Sequence, residues 1–348
     1  MTKAVLIITN MGPKPSAPFQ GQFVKNQMLA LKKRQALSYF YMRWHNDSLF
    51  NRLLKYPVLF LQFFWCHVLS FKTVDVIHVH FFYPTIWLAL VYKYLRKPSV
   101  KIVVTCHGSD IYHYQPFGAL YRWCCGAVDQ WIFTSEKLRT KAYTSAPKAV
   151  VLSAGIAQVY AQTTQLSRAE KDIDLLYVGA LDKNKGMDRL IALLPQLKDK
   201  TICVIGTGPY LTQFEQLRSD YPNLRLQQGQ GAEQLKAFYQ RSKCFLNLSR
   251  NESFGLVMTE AMACYTPVIA TLTDGSAEQL GADSFWVLEQ ADEAVLLQQL
   301  LQKIQQLLSL SDSDYTALQQ QGRQYAKHCL VDDVAAKIHS LYQALAPE

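Results

Sequence analysis

The sequence predicts an α/β fold with two doubly wound domains, and three observations carry that prediction. Apolar runs of strand length recur at residues 4–9, 75–80, 101–105, 130–134, 175–179, 202–208, 244–248 and 267–271. Most are too continuous for half-exposed strands and suit a parallel sheet buried on both faces. Segments of helical spacing separate them, and a chain of 348 residues suits about two domains. A polar stretch at 157–172, containing QTTQLSRAEKD, reads as the hinge. The predicted division is 1–160, 161–327 and a C-terminal helix at 328–348.

Composition is that of an ordinary globular protein, 49% hydrophobic and 18% charged, but the net charge of +9 is unevenly spread. Residues 1–100 hold thirteen Lys or Arg against Asp47 and Asp75, so the basic excess lies in the first domain. A basic domain implies an anionic partner, either a membrane surface or a lipid diphosphate. Nucleic acid is set aside, because no nucleic-acid-binding motif accompanies the charge. The eight cysteines lack metal-ligand spacing, and adjacent Cys124 and Cys125 are poorly placed for an ordinary disulfide, so all are read as reduced. MTKAVLIITN enters a strand directly without the cleavage site of a leader. The expected location is the cytoplasm, with peripheral contact at the inner membrane face.

In chain order, residues 4–9 form the first strand and a loop rich in Pro and Gly follows. A helix opens at Gly21, with Phe23, Met28, Leu29 and Leu31 as its apolar side. Residues 49–71, including PVLFLQFFWCHVLSF, are the most apolar part of the chain and are flanked by Arg52, Lys55 and Lys72. They fall short of the roughly 20 apolar residues a membrane span needs. Two readings stay open: a core helix, or a helix in the membrane interface with basic flanks on lipid phosphates. DVIHVH at 75–80 is a strand carrying two histidines on one face, read as hydrogen-bonded core residues more readily than as metal ligands. The strand at 101–105 delivers His107, Gly108, Ser109 and Asp110 to its end. Ser135 is an N-cap for the helix that follows the strand at 130–134.

The second half opens with LLYVG at 175–179, then ALDKNKGMDRL. The G-T-G at 206–208 is no dinucleotide fingerprint, because Pro209 and Tyr210 follow it. The Gln-rich run at 296–308 keeps leucines at helical spacing and reads as a packed helix. At the C-terminus Val334, Ile338, Leu341, Tyr342 and Leu345 share one helical face.

The most informative stretch is 243–271, KCFLNLSRNESFGLVMTEAMACYTPVIAT. It reads as a strand at 244–248, a polar loop at 249–254, a helix at 256–264 and a strand at 267–271. Such a unit aims the unpaired amides at the helix start out of the sheet's carboxyl end, where a phosphate can receive them. Glu260 lies about 7 Å along the helix at 1.5 Å per residue, a depth that suits two vicinal hydroxyls. The pattern reads as diphosphate near residues 254–256, ribose on Glu260, and the sugar near Glu252.

The run E-S-F-G-L-V-M-T-E, two glutamates with seven residues between, followed by T-P-V-I-A, resembles the donor-site signature of the family-4 retaining glycosyltransferases of GT-B fold. His107-Gly108-Ser109-Asp110 is similar to the family's H-G-x-D element. The resemblance implies two Rossmann-like domains facing across a cleft, with a nucleoside diphosphate sugar, a UDP-sugar by expectation, as donor substrate and neither cofactor nor metal. It assigns His107 and Glu252 to the sugar, and Gly12, Gly21, Lys185, Phe254, Gly255, Leu256 and Glu260 to the donor. It implies a glycan or lipid-linked acceptor on the first domain and same-face attack, in which the leaving phosphate oxygen takes the acceptor proton. The C-terminal helix is expected to cross back onto the first domain. The chain departs from the family at four places. Ala180 replaces the diphosphate-gripping arginine, Tyr265 a glycine, Gln22 follows Gly21 where glycines pair, and Ser276 breaks the glycine pair beside Gly275 and Glu278. Arg250 or Arg189 would have to replace the missing guanidinium. The departures keep a second class open, a non-catalytic module that binds a nucleotide or glycan.

Overall fold

The computed structural model describes residues 3–13, 20–43, 48–143 and 148–345. Much of the first Pro-rich loop and the Arg52 side chain lie outside the described residues. The chain forms two compact units, one running to Gly155 and resuming at Val331, the other spanning Ile156–Leu330.

The first unit contains β1 (Val5–Thr9), α1 (Gln22–Lys32), β2 (Leu37–Tyr41), α2 (Leu49–Phe63), β3 (Val76–His80), α3 (Phe82–Leu95), β4 (Lys101–Cys106), α4 (Ser109–Tyr112), α5 (Ala119–Cys125), β5 (Gln130–Phe133), α6 (Glu136–Lys141) and β6 (Ala149–Val151). The strands make one parallel sheet in the order β2-β1-β3-β4-β5-β6. Period-2 alternation sends Leu6, Ile8, Ile77, Val79 and Phe133 to a face covered by α2, α3 and α5. It sends Val5, Ile7, Val76, Val103 and Ile132 to the other face, under α1 and the C-terminal helix.

The second unit contains β7 (Ile173–Val178), α7 (Met187–Leu193), β8 (Ile202–Ile205), α8 (Leu211–Leu217), β9 (Leu224–Gln227), α9 (Ala232–Gln240), β10 (Ser242–Asn247), α10 (Leu256–Ala263), β11 (Val268–Thr271), α11 (Asp274–Leu280), β12 (Val287–Leu288), α12 (Glu293–Leu308) and α13 (Asp312–Lys327). Its parallel sheet runs β12-β11-β10-β7-β8-β9. Leu175, Cys244, Leu246 and Ile269 pack under α7 and the Leu296, Leu300, Ile304 and Leu307 stripe of α12. Leu176, Val178, Phe245 and Ala270 pack under α9 and α10 on the opposite face.

The last helix, α14 (Val331–Ala344), belongs to the first unit. Val334, Ile338, Tyr342 and Leu345 are buried against α1 and the sheet, and Lys3 Nζ donates to the carbonyl of Tyr342 at 2.6 Å. A cation at a helix C-terminus satisfies carbonyls that have no intrahelical donor.

Two sequence expectations are corrected. The polar stretch at 157–172 is no free hinge: Tyr160 is buried, Arg323 donates to the carbonyls of Tyr160 and Ala161, and Arg168 pairs with Asp312 at 2.9 Å. Its polar side chains made it look like a linker, yet they tie it to α13. Leu29 points outward at 46% exposure, because the buried side of α1 is carried by Val24, Gln27, Met28, Ala30 and Leu31. In 49–71 one face is core, with Leu59, Phe63 and Val68 buried, while Leu49, Phe50, Leu53, Leu61, Trp65, Leu69 and Phe71 are exposed. Among the described residues no helix is long and apolar enough to cross a membrane.

Candidate active site

At the carboxyl end of the second sheet two loops interlock. The loop after β7 ends at Gly186, whose φ of 75° opens α7, and a Cβ there would lie 2.2 Å from the Leu248 carbonyl oxygen. Only glycine permits that approach. The loop after β10 meets it through Arg250 N donating to Asn184 O at 2.7 Å and Asn184 Nδ2 donating to Asn251 O at 3.1 Å. The interlock carries Lys185 to Glu252, and the two side chains form a partly buried ion pair.

Gly255, at φ 79°, turns the chain from this loop into α10. The amides of Leu256 and Val257 stand in the first turn, ahead of the intrahelical ladder. Phe254 is buried, and its carbonyl accepts from Gln279 Nε2, which also donates to Gly255 O at 3.2 Å. Gly275 N donates to Glu252 O at 2.9 Å, and a Cβ on Gly275 would lie 2.2 Å from Phe254 O. The loop at 252–255 is therefore seated on α11. Ser276, which breaks the glycine pair beside Gly275, belongs to the start of that helix: Thr273 and Ser276 form a reciprocal capping box, and a glycine at 276 would remove the serine's half of it.

Glu260 lies further along α10, partly exposed, with Oε2 accepting from Tyr239 Oη at 3.0 Å. Burial pushes its carboxyl up to about 7, opposed by the hydroxyls of Tyr239 and Tyr160. The helix leaves through Tyr265, which takes a left-handed φ of 56° without being glycine. Such a conformation costs on the order of 1 kcal/mol. Its carbonyl is held by Lys171 Nζ at 3.1 Å and Gln319 Nε2 at 2.9 Å, and the Arg323 guanidinium lies 5.3 Å from its ring centroid.

Neither arginine proposed to replace the missing guanidinium is uncommitted. Arg250 forks onto Asp188 at 2.8 and 2.9 Å and reaches Glu293 at 2.9 Å. Arg189, 3% exposed, binds Glu293, Gln290 and the Leu248 carbonyl. Both hold the 248–252 loop in place.

In the first unit, β4 delivers His107 to the end of its sheet. His80 Nδ1 and His107 Nε2 lie 3.0 Å apart, and the His107 ring meets Phe23 at 5.0 Å and Phe81 at 4.5 Å. Burial lowers the His107 basicity well below the usual histidine range and takes His80 down to about 3, so the pair is neutral at physiological pH. Asp110 fastens this loop by accepting from the backbone N–H groups of Phe82 (2.8 Å), Gly108 (2.9 Å) and His107 (3.0 Å). Phe81 adopts φ 65°, an uncommon state for a bulky residue and one concentrated at functional sites. Gly21 opens α1 at φ 74°, and Gly12 packs where a Cβ would lie 2.4 Å from the Met42 carbonyl oxygen.

Lys185, Glu252, Phe254, Gly255, Leu256 and Glu260 thus come together in the second unit, while Gly12, Gly21 and His107 lie in the first. Sequence reading missed Tyr239, Gln279, Phe81 and the Asp110 clamp; of these only Asp110 had a signal, as the last residue of H-G-S-D. His78 and His80 are buried, as a core role requires, and among the described residues no group of three or more His, Cys, Asp or Glu is placed to hold a metal ion. All eight cysteines are free.

Comparison with known proteins bears on the same two units. A model of Glycosyltransferase Family 4 matches residues 29–156, and a model of Glycosyl transferases group 1 matches residues 161–326. An uncharacterized glycosyltransferase of Methanocaldococcus jannaschii is 23% identical over 287 residues, covering 80% of this chain and 78% of the other. The N-acetyl-alpha-D-glucosaminyl L-malate synthase of Bacillus anthracis is 26% identical over 256 residues, covering 66% and 65%. The Arabidopsis thaliana sulfoquinovosyl transferase is 31% identical over 120 residues, of which the chain spans only 23% of the relative's length. Among solved structures, sucrose-phosphate synthase from Thermosynechococcus elongatus superposes with TM-score 0.74 at 18% identity, covering 99% of each chain. Anabaena HepE, solved with UDP and glucose, gives TM-score 0.69 at 16% identity over 98% of this chain and all of the other. Each of the two parallel-sheet units thus matches a glycosyltransferase family model, Family 4 on the first and group 1 on the second, and the fold, shared end to end with these structures, is GT-B.

Proposed function

We propose that the protein is a retaining glycosyltransferase that moves a hexose from a nucleoside diphosphate sugar, with UDP as the expected carrier, to an acceptor hydroxyl. The observation that carries the reading is a juxtaposition: Lys185, the first amides of α10 and the two carboxylates of the E-x7-E run share one sheet end. The second unit is then the donor domain. Lys185 and the amides of Gly255 and Leu256 neutralise the diphosphate as it leaves, in a site whose donors are already oriented. Glu260 takes the ribose diol, with Phe254 beside the diphosphate. Glu252 and His107 hold the sugar, and Gly12 and Gly21 shape the first loop near the diphosphate. Attack is on the same face: the bond from the anomeric carbon to the acceptor oxygen forms as that to the phosphate breaks, and the acceptor proton passes to the departing phosphate oxygen. No protein base and no metal is assigned a step. That HepE was solved with UDP and glucose supports a UDP-sugar.

The first unit is the acceptor domain in this reading. Its basic excess and the exposed Leu53, Leu61, Trp65, Leu69 and Phe71 support a lipid-linked or cell-surface glycan acceptor met at the inner membrane face. Retention by anionic liposomes at low salt, absent with neutral liposomes, is the expected result; no retention on either removes the membrane part.

A thermal-shift panel of UDP, GDP, ADP and CMP with several sugars tests the donor. Slow release of nucleoside diphosphate from the stabilising sugar nucleotide, abolished by Glu260→Ala, tests turnover. The binding-module reading draws on Ala180 together with the committed Arg189 and Arg250; nucleotide binding without any release of diphosphate would favour it.

A further inference from the structure

Glu260 is held by a neighbour on another helix. Tyr239, the penultimate residue of α9, is fully buried and donates its hydroxyl to Glu260 Oε2 at 3.0 Å. Its ring is fixed edge-on between Tyr160 at 6.1 Å and Phe245 at 5.7 Å. Its carbonyl accepts from Thr266 Oγ1 at 2.5 Å, which ties the end of α9 to the chain just beyond α10. A phenol clamped on two sides presents its hydroxyl without losing further rotamer freedom. Tyr160 lies beside the same carboxylate and turns a second buried hydroxyl toward it.

A carboxylate offers about four lone-pair directions on two oxygens. Two adjacent hydroxyls are best received when one oxygen is fixed and the carboxylate plane cannot swing. Resting on the ribose assignment of Glu260, we propose that Tyr239 is a positioning residue of the donor site, pinning Oε2 so that the carboxylate plane is presented to the 2′ and 3′ hydroxyls of a nucleoside diphosphate.

The groups around the carboxylate are few. Tyr239 faces it from α9, Tyr160 from the turn Gln158–Ala161, and Cys264 from the end of its own helix. Lys171, Lys236 and Arg323 act on the Cys264 thiol, and Glu233 acts on Tyr160. The phenol bond is therefore the main local support of the ionised carboxylate, and its loss raises the pH at which Glu260 ionises.

The test is calorimetric titration of UDP and of 2′,3′-dideoxy-UDP into the wild type and Y239F across roughly pH 5.5–9, spanning the Glu260 ionisation. In the wild type UDP should bind more tightly than the dideoxy analogue. In Y239F the UDP affinity at neutral pH should fall about tenfold, with dideoxy-UDP nearly unchanged and the acid limb of UDP binding moved to higher pH. A merely structural role would weaken both ligands alike and leave the pH limb where it was. Should Y239F not fold, E260D keeps the charge but withdraws it from the phenol, and it should lose the same preference for the diol. An unchanged preference and pH limb in Y239F overturns the positioning role while leaving the donor site standing; an unchanged preference in E260D overturns the ribose assignment of Glu260 and the positioning role with it. A wild type that binds no nucleoside diphosphate overturns the donor reading and this inference with it.

Discussion

The ion pair between Lys185 and Glu252 sets two parts of the donor site against each other. Lys185 is assigned to the diphosphate and Glu252 to the sugar, yet they neutralise one another when paired. A diphosphate that takes Lys185 must first break the pair, so Glu252→Gln should tighten the binding of UDP without a sugar while abolishing transfer. The side chains are 27% and 15% exposed, so the pair is neither a surface contact nor a fully desolvated one. Its gross attraction at an effective dielectric of 20 is about 4 kcal/mol, of which screening and the return of water leave about 1 kcal/mol in a double-mutant sense. That corresponds to roughly fivefold tighter UDP binding in Glu252→Gln. Removing a negative charge near the diphosphate acts in the same direction. Titration of UDP at two salt concentrations measures it, and Lys185→Met is the control. The control should weaken binding about tenfold or more, as the loss of a charge-assisted contact does. If Glu252→Gln weakens UDP binding as Lys185→Met does, the two residues act together on the diphosphate and the competition is refuted.

Other outcomes follow from the same geometry. Glu260 ionises at about 7 in the folded protein, above the ordinary glutamate value, so its contribution to stability is present at acid pH and is lost as pH rises through about 7. Glu260→Gln should therefore melt a few degrees higher than the wild type at pH 8, a gain of about 1–3 kcal/mol, and match it at pH 4. Gly275→Ala places a methyl group against the Phe254 carbonyl, so it should lower the melting temperature and weaken UDP binding together. Asp110→Asn keeps the shape of the side chain but turns one of its two accepting oxygens into an NH2 group that faces a backbone N–H and cannot accept, and should cost about 2–3 kcal/mol in denaturant unfolding.

Much of the fold was legible because parallel strands announce themselves. The runs VLIIT and VIAT are short, apolar and largely β-branched, LLYV is short and continuously apolar, and segments of helical spacing separate them. The E-x7-E stretch was legible for a local reason: a βαβ unit fixes where the helix starts, and Gly255 marks the turn. What stayed hidden was tertiary. Tyr239 reaches Glu260 from another helix, and the commitments of Arg189 and Arg250 depend on Glu293, some forty or more residues away in the chain. The stretch at 157–172 misled because polar side chains serve a docked segment as readily as a linker. Ser276 misled because a serine in place of a glycine looks like a loss until its bond to the Thr273 amide is seen.

In the proposed function Lys185, the start of α10 and Glu260 form a nucleoside diphosphate site. Calorimetric titration of UDP into the wild type and Glu260→Ala tests it most directly. A single saturable site is expected in the wild type, weakened at least about tenfold by Glu260→Ala through loss of the ribose hydrogen bonds. Equal affinity of UDP for the two proteins, or binding of no nucleoside diphosphate to the wild type, would contradict it.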